Sequence, residues 1–479
     1  MKKKFLSDIS ANTLQAVINQ LCGLVIFYIL SVSLNKDQFG EINWSLAVLL
    51  TSFGILTCGI DQVALKKIAS GEAVQSVLSS FILHVLLAGI TFYMMLLLVY
   101  RFFPGFRRHH LLLLLGVAKL MIFFSSPFKQ LATGLEKFRS LLFMGICSNV
   151  VRSAALLLLA FFGKTDLSTI VIIFIAGDLL ELLLCVFVVK KIIRIPVKLQ
   201  WNKKNYVHLF KESLPQLGVS IITAVLARFD WIFLGVLASN MVLADYSFAY
   251  KVFEMSTLPL LVVAPVLITR FTRLFHPAAG SLTNEKTTDL FVLLKMEVLI
   301  ACITAMALTI LWVPMIDVLT HGKYGAVNKY TILILSGCLP FLYLNNFLWT
   351  INFARGRLKM IFYVFLITLV VNLTADIFLI PRYRAEGAAV GYLSAIIAQS
   401  LLYLSTTKLE GLNKNIYRII LFPCFAAACA FVAERLFSNT ALAVIIAIPG
   451  YLTLLIISRQ LVYQDWRILI RVTGFQRAT

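Results

Sequence analysis

The sequence predicts an all-α polytopic membrane protein with about 14 transmembrane helices, each of roughly 20 apolar residues. Of its 479 residues, 60% are hydrophobic and only 14% are charged, and the mean hydropathy is +0.91. These values lie far outside the range of soluble globular proteins. Because so many spans leave only short connections, the composition excludes enzymes that need a separate soluble catalytic domain.

Apolar windows bounded by charged residues, glycine or proline define the predicted spans. In the first half they lie at residues 10–33, 43–62, 77–100, 110–132, 141–162 and 167–189. In the second half they lie at residues 213–238, 246–269, 290–313, 330–353, 358–380, 387–407, 416–434 and 440–458. The sequence thus predicts two six-helix bundles and two further helices, with an N-lobe at 1–205, a C-lobe at 206–410, and the last two spans and a tail at 411–479.

The charge distribution sets the predicted orientation. The chain has 43 Lys and Arg against 22 Asp and Glu, a formal net charge of +21, which in a soluble protein suggests a nucleic-acid partner. With the amino terminus in the cytoplasm, most basic residues fall in cytoplasmic connections, as the positive-inside rule and an anionic leaflet favour. An even number of spans then puts both termini in the cytoplasm, and no nucleic-acid partner is predicted. Arg101, Arg107 and Arg108 depart from this pattern, since they fall outside.

The longest polar connection, residues 190–212, combines lysines with Trp201, Tyr206 and Phe210. Basic and aromatic residues together are typical of segments at a membrane surface. This connection is therefore predicted either to lie on the cytoplasmic leaflet between the two bundles or to act only as a linker that sets orientation.

Ionisable side chains near the middle of a span mark candidate functional sites, because an isolated charge there costs several kcal/mol. In the first half these are Lys119, Arg152, Asp178 and Glu181, which fall at a similar depth and predict a cluster. Asp178 and Glu181 stand at i and i+3 on one helix face. Two carboxylates that close favour holding one proton, as ion coupling requires. The alternative is a charge-balanced cluster that only fixes helix packing.

The second half offers a comparable set in the seventh and eighth predicted spans. Lys251 and Glu254 share a helix face and can pair with each other, whereas Arg228 and Asp230, two residues apart, point in different directions. Arg228 is therefore the strongest single candidate for an anion contact. Asp230 and Glu254 join the candidates for ion coupling.

Amide side chains provide candidate sugar contacts. Asn12, Gln15 and Asn19 stand at i, i+3 and i+7 on one face of the first span, and Asn345 lies in the tenth. Such groups predict either a wet surface that hydrogen-bonds sugar hydroxyls or hydrogen bonds between helices.

Three other polar residues in spans receive structural interpretations. His84 in the third span is predicted to be satisfied by a neighbouring helix. Lys295 and Glu297 lie close to the cytoplasmic end of the ninth span. They are predicted to snorkel towards the membrane surface.

Residues 372–391 read NLTADIFLIPRYRAEGAAVG, which combines an asparagine, an LIP turn and a Gly-Ala-Ala helix start. This stretch, residues 228–251 and the amino-terminal run resemble the polysaccharide-exporter branch of the multidrug/oligosaccharidyl-lipid/polysaccharide (MOP) superfamily, the Wzx-type O-antigen and oligosaccharide flippases. The family usually has glycine where this chain has Arg384. The matching residues are Asn12, Gln20, Phe39, Gly40, Arg228, Asp230, Gly235, Tyr246, Ala249, Lys251, Asn372, Leu379, Ile380, Pro381, Tyr383, Gly387, Ala388 and Ala389.

The resemblance implies a MATE-like fold and the translocation of an undecaprenyl-diphosphate-linked oligosaccharide, such as an O-antigen unit of lipopolysaccharide, across the bacterial inner membrane. Two lobes would rock around a hydrophilic, cationic cavity within membrane lipid, with a polysaccharide polymerase and a chain-length regulator as further partners. The diphosphate would suit Lys119, Arg152, Arg228 and Lys251. Composition alone does not predict a cationic cavity, because the spans carry slightly more acidic than basic residues.

Three other function classes stay open at this point. A cation-coupled multidrug exporter of the same superfamily would favour carboxylates and aromatic residues over arginine and lysine in mid-span. A membrane glycosyltransferase or polysaccharide polymerase would need a long outer loop and a catalytic constellation, and the sequence has neither. A structural scaffold would not need buried charges. The eight cysteines lack the paired spacing of zinc or redox sites, so no metal, cofactor or catalytic residue is predicted.

Overall fold

The computed structural model describes residues 2–71, 74–163, 165–196, 199–260, 284–407, 416–437 and 439–473, with residues 267–268, 271–272 and 274–275 between them. This part of the chain forms fifteen α-helices and no strand, in agreement with the predicted all-α class. The chain divides into two compact units, Met1–Ser247 and Phe248–Thr479.

Unit 1 contains the first eight helices and the start of the ninth. A 3₁₀ turn at Pro104–His109 precedes α5, and a π-helical turn at Val188–Ile193 follows α7. The helices are α1 Lys2–Ser33, α2 Lys36–Leu56, α3 Ile60–Ala69, α4 Val74–Phe102, α5 His110–Gly134, α6 Phe138–Phe161, α7 Leu167–Phe187, α8 Lys203–Leu237 and α9 Asn240–Ser256.

Asparagine caps explain where two helices of unit 1 begin. The side-chain oxygen of Asn35 accepts a hydrogen bond from the backbone N–H of Gln38 at 2.8 Å and caps α2. Asn202 caps α8 in the same way through the N–H of Asn205, at 3.2 Å. Each cap satisfies a backbone donor that the helix cannot satisfy itself. Because of the cap at Asn202, residues 203–212 belong to α8 and do not form a separate surface segment.

Unit 2 continues from the last part of α9. Its helices are α10 Asn284–Thr320, α11 Lys329–Ala354, α12 Leu358–Thr406, α13 Leu421–Leu436, α14 Thr440–Ile457 and α15 Tyr463–Thr473. The last helices pack onto α10, where Val298 and Cys302 share one buried cluster with Ala426 of α13 and Tyr451 of α14. Small residues at such contacts allow helices to approach closely in a membrane.

A backbone break divides α12 into the eleventh and twelfth predicted spans. Arg384 adopts φ 52° and ψ −124° inside this 49-residue helix. A positive φ favours glycine, which is the residue that the family resemblance places there. Just after the break, a Cβ on Gly387 would collide with the carbonyl group of Leu379. Glycine is therefore required where the two halves of α12 come together.

The predicted number of spans agrees roughly with the structure. Among the described residues, eleven helices are long and apolar enough to cross a membrane. The stretch Val17–Ser33 of α1 and the division of α12 account for two more. The predicted span at 246–269 extends into residues outside the described part of the chain. The second predicted span needs correction, since α2 begins at Lys36 and ends at Leu56. The left-handed residues Cys58 and Gly59 then turn the chain into the short helix α3.

Candidate functional site

A buried charge cluster links three helices of unit 1. We define it by Lys119 and Lys129 of α5, Arg152 of α6, and Asp178 and Glu181 of α7. The two carboxylates lie one helical turn apart on α7, so that each faces a different part of α5. The cluster therefore fastens α5, α6 and α7 through side chains inside the bundle.

Asp178 is the centre of the cluster. Its Oδ2 lies 2.7 Å from Lys119 Nζ, and its Oδ1 accepts a hydrogen bond from the Arg152 guanidinium. The Asp178 side chain is completely buried, and Arg152 is 6% exposed. A buried carboxylate of this kind is stable only because both oxygens meet a cation.

Glu181 has its own partners. Its Oε1 pairs with Lys129, and its Oε2 accepts a hydrogen bond from Ser148 Oγ at 2.6 Å. Lys129 is the most exposed cation of the cluster, with 28% of its side chain accessible. In this conformation each of the two carboxylates therefore has a separate cation.

The cluster carries an excess of one positive charge, since three cations face two carboxylates. Lys129 was not among the residues predicted from the sequence. Its spacing from Lys119 would have placed it here, since ten residues of helix turn it only about 80° from Lys119 around the axis. The sequence predicts two cations and two carboxylates in this cluster, and the structure adds a third cation, Lys129.

Phe174 and Gly177 shape the space around these charges. Arg152 Cζ and Lys119 Nζ lie 5.3 Å and 5.7 Å from the centroid of the Phe174 ring, a cation–π distance. A Cβ on Gly177 would lie 2.7 Å from Arg152 Nε. Within the described residues, this buried Nε has no hydrogen-bond partner. Glycine thus gives the guanidinium the room that it needs beside α7.

The amide residues of α1 lie against α6. Asn149 Nδ2 donates a hydrogen bond to Asn19 Oδ1 at 3.0 Å, and the absence of a side chain at Gly145 makes room for the Gln15 amide. The side chain of Asn12 lies outside the described residues. Asn19 therefore links α1 to α6 in this conformation. The buried Oε1 of Gln15 has no hydrogen-bond partner among the described residues.

Arg228 and Asp230 occupy different environments near the end of α8. Asp230 is buried and accepts hydrogen bonds from Tyr246 Oη at 2.6 Å and from the Trp231 backbone N–H at 2.9 Å. Arg228 is half-buried, and its guanidinium carbon lies 4.7 Å from the centroid of the Trp231 indole. The two side chains thus have different contacts, although Arg228 is close enough to interact electrostatically with Asp230.

The start of α2 contacts the start of α9, at the end of unit 1 that is predicted to face outward. Lys36 Nζ lies 2.6 Å from Asp245 Oδ1, and Asn43 Nδ2 donates to Ser247 Oγ at 3.0 Å. A Cβ on Gly40 would overlap the backbone of α9. We call these residues the outer contact. Glycine and short polar side chains let the two helix starts meet closely.

In unit 2, the other predicted residues are engaged with neighbouring groups. Lys251 Nζ pairs with Glu254 Oε2 at 2.7 Å. Asn345 is buried, donates to Gln399 Oε1 at 3.0 Å and accepts from Ser400 Oγ at 2.8 Å. A sugar contact by Asn345 would require these hydrogen bonds between α11 and α12 to break.

Of the three residues with predicted structural roles, His84 agrees with the prediction, whereas Lys295 and Glu297 do not. His84 is satisfied as predicted, by Tyr206 Oη at 3.0 Å and by the Leu56 carbonyl oxygen at 2.9 Å. The snorkelling of Lys295 and Glu297 is wrong, because both side chains are buried. Lys295 pairs with Asp465 of α15 at 2.9 Å. Neither carboxylate oxygen of Glu297 has a hydrogen-bond partner in the described part of the chain.

Many apolar helices around paired, buried charges define a multi-pass helical membrane protein. The family described as polysaccharide biosynthesis protein matches residues 5–275, more than half of the chain. The chain belongs to this family. No curated protein sequence matches the chain.

Three solved structures show the same fold. A lipid II flippase MurJ in an inward closed conformation is 17% identical with a TM-score of 0.74, over 95% of this chain and 99% of that one. An inward-facing multidrug resistance MATE family transporter is 12% identical with a TM-score of 0.64, over 86% and 98%. A MOP superfamily transporter from Pyrococcus furiosus is 14% identical with a TM-score of 0.56, over 87% and 96%. At these identities the likeness establishes the fold.

Proposed function

We propose that the protein moves an undecaprenyl-diphosphate-linked oligosaccharide, an O-antigen or similar repeat unit, across the bacterial inner membrane by ion-coupled alternating access. The observation that carries this proposal is the buried excess of positive charge on α5, α6 and α7, in a chain of the polysaccharide biosynthesis family. A diphosphate entering a membrane protein needs cations to replace its water.

The cations of the cluster are held by carboxylates in the present conformation. A diphosphate would compete with Glu181 for Lys129, the cation with the largest exposed fraction. It would then contact Arg152, whose buried Nε–H donates no hydrogen bond within the described residues. Lys119 would keep its pair with Asp178 as long as this carboxylate stays ionised. Arg228 and Lys251 remain candidates for anion contacts in other parts of the cycle.

Ion coupling follows from the same competition. A proton taken up by Asp178 or Glu181 would remove a negative charge from the cluster and release a cation for the diphosphate. Loss of that proton would restore the carboxylate and expel the phosphate group. Asp230 and Glu254 are the corresponding candidates near α9, and Gln15, Asn19, Asn12 and Asn345 are candidates for the sugar units.

A transport assay tests the proposal. A strain that lacks its own flippase and accumulates the lipid-linked oligosaccharide would receive the wild-type chain, Lys129→Gln or Lys137→Gln. Lys137 is an exposed lysine just beyond α5, outside the cluster, and serves as the matched control. We expect the wild-type chain and Lys137→Gln to clear the accumulated lipid, and Lys129→Gln to leave most of it in the inner leaflet. Equal clearance by both variants would contradict the role of the cluster.

A multidrug exporter is the second candidate, favoured by the fold shared with the MATE family transporter. Such an exporter takes up organic cations in the general case, which a net cationic cluster repels. The same strains separate the two proposals. Lower drug susceptibility with no change in the lipid-linked oligosaccharide would favour the exporter.

A further inference from the structure

A second group of basic residues lines a pocket of about 340 Å³ in unit 1, apart from the buried charge cluster. The polar residues of this pocket, which we call the basic pocket, are Lys67, Ser76, Ser80, Lys204, Asn205 and His208. They come from three helices: the end of α3, the first turns of α4 and the first turns of α8. The pocket is therefore built by the meeting of three helix ends.

Hydrogen bonds fix these helix ends to one another. Asn205 Nδ2 donates to Ser76 Oγ at 2.6 Å. Ser79 Oγ donates to the Gln200 carbonyl oxygen at 3.0 Å and accepts from the Gln200 N–H at 2.7 Å. The residues before α8 are thus tied to α4, and the amino-terminal ends of both helices are held beside the pocket. Backbone N–H groups and the positive ends of helix dipoles at such ends favour an anion.

The side chains of the pocket add charge and donors. Lys204 forms no ion pair or hydrogen bond within the described residues. Lys67 Nζ lies 2.9 Å from Glu212 Oε2, and His208 Nδ1 lies 3.5 Å from the same oxygen, so this carboxylate offsets part of the positive charge. The pocket still has a positive balance, because Lys204 and the amino-terminal ends of α4 and α8 together outweigh the negative carboxyl-terminal end of α3.

Ser80 adds a hydroxyl group to the pocket, independently of the lysines and helix ends. The residue is only 3% exposed and lines the pocket. Its hydroxyl has no hydrogen-bond partner in the part of the chain that the structure describes. The hydroxyl is therefore available to a ligand oxygen in the pocket.

The side of the pocket formed by α8 extends beyond the hydrocarbon region. Helix α8 has 35 residues and is about 52 Å long, whereas the hydrocarbon core is about 30 Å thick. Its first turns, with Lys204 and His208, therefore extend to the level of the lipid headgroups. The positive-inside rule assigns this end to the cytoplasmic leaflet, which carries anionic lipids.

We propose that the basic pocket binds a phosphate group, supplied by the headgroup of an anionic phospholipid in the cytoplasmic leaflet. The Lys204 ammonium and the helix ends neutralise the phosphate, and the hydroxyls of Ser76 and Ser80 donate hydrogen bonds to its oxygens. Free phosphate has the same chemistry, so the test includes both sources.

Lipid binding to the purified full-length protein tests the proposal. The protein in phosphatidylcholine nanodiscs would be titrated with phosphatidylglycerol, and bound lipid would be counted by native mass spectrometry. Lys204→Gln and Ser80→Ala are compared with Lys211→Gln, which removes an exposed charge from the same helix outside the pocket. We expect binding to weaken about tenfold in Lys204→Gln, about fivefold in Ser80→Ala and less than about twofold in Lys211→Gln.

A second arm uses inorganic phosphate as competitor. Phosphatidylglycerol that stays bound at millimolar phosphate assigns the pocket to a lipid headgroup. Displacement at that concentration supports a phosphate site but overturns the lipid as its source. Equal losses in Lys204→Gln and Lys211→Gln, or no binding above that of phosphatidylcholine, overturn the site itself. Thermal unfolding of each variant checks that the fold is retained.

Discussion

Lys119 of α5 and Asp178 of α7 form an ion pair of 2.7 Å in which the carboxylate is completely buried. Arg152 of α6 binds the other oxygen of the same carboxylate. Removing one member of such a buried set leaves charges without a partner, which costs far more than the pair contributes by itself. The cluster is therefore both a packing element and a set of charges that a competing anion or proton can rearrange.

Asp178→Asn is expected to destabilise the protein strongly. The substitution leaves Lys119 and Arg152 without a counter-charge in a buried place, and losses of about 3–5 kcal/mol are typical of that change. Chemical unfolding in detergent micelles would measure it. The double variant Asp178→Asn with Lys119→Met should recover part of the loss, because one uncompensated cation disappears. Equal stability of Asp178→Asn and wild type would contradict this assignment.

Gly177→Ala should lower the free energy of unfolding in the same way as loss of the Arg152 side chain. The new Cβ would lie 2.7 Å from Arg152 Nε and displace the guanidinium from Asp178. Gly450→Ala is the matched control, since a Cβ there meets nothing within 4 Å inside a helix. We expect the control to gain up to about 1 kcal/mol from helix propensity. The prediction fails if both alanine variants show the same change in unfolding free energy.

The outer contact should respond to charge reversal. Lys36→Asp places two acidic groups at the starts of α2 and α9 and should weaken the contact between these helices. The double variant Lys36→Asp with Asp245→Lys exchanges the two charges and should restore the contact. A cysteine introduced at Asn43 would be labelled with a membrane-impermeant thiol reagent. The labelling rate measures how far the contact between α2 and α9 has opened. If the exchanged pair labels as fast as the single variant, the ion pair does not hold this contact.

Glu297→Met should stabilise the protein or leave its stability unchanged. The carboxyl is buried, and neither oxygen has a partner among the described residues. An unpaired polar group of this kind costs about 1–3 kcal/mol, which the apolar side chain avoids. Thermal unfolding compared with wild type provides the measurement. A clear loss of stability would show that Glu297 has a partner under native conditions.

Much of the fold could be predicted from the sequence, because bilayer thickness dictates the length of apolar runs. The predicted starts and ends of the spans at 110–132 and 440–458 differ little from those of α5 and α14. The sequence did not reveal α3, because a left-handed turn at Cys58 and Gly59 separates it from α2 without a change in hydropathy. Helices also extend beyond the apolar windows wherever a polar cap, such as Asn202, lies outside the membrane.

The candidate site was less predictable. The grouping of Lys119, Arg152 and Asp178 follows from their similar depth, since charges in lipid seek partners. The role of Lys129 depends on which way α5 is turned, and a residue near the end of a span does not reveal this. The partners of Asn345 are in the twelfth predicted span, and hydrogen bonds between helices require knowledge of which helices are neighbours. A single sequence does not provide that knowledge.

Direct binding of undecaprenyl diphosphate to the purified protein is the measurement that tests the central claim, that the cationic excess of the cluster recognises the diphosphate. Affinities would be compared for wild type, Lys129→Gln and the control Lys137→Gln. The account predicts a loss of about tenfold or more for Lys129→Gln and no change for the control, because a charge-assisted contact to phosphate contributes at least about 1.4 kcal/mol. The same affinity in all three proteins would contradict it.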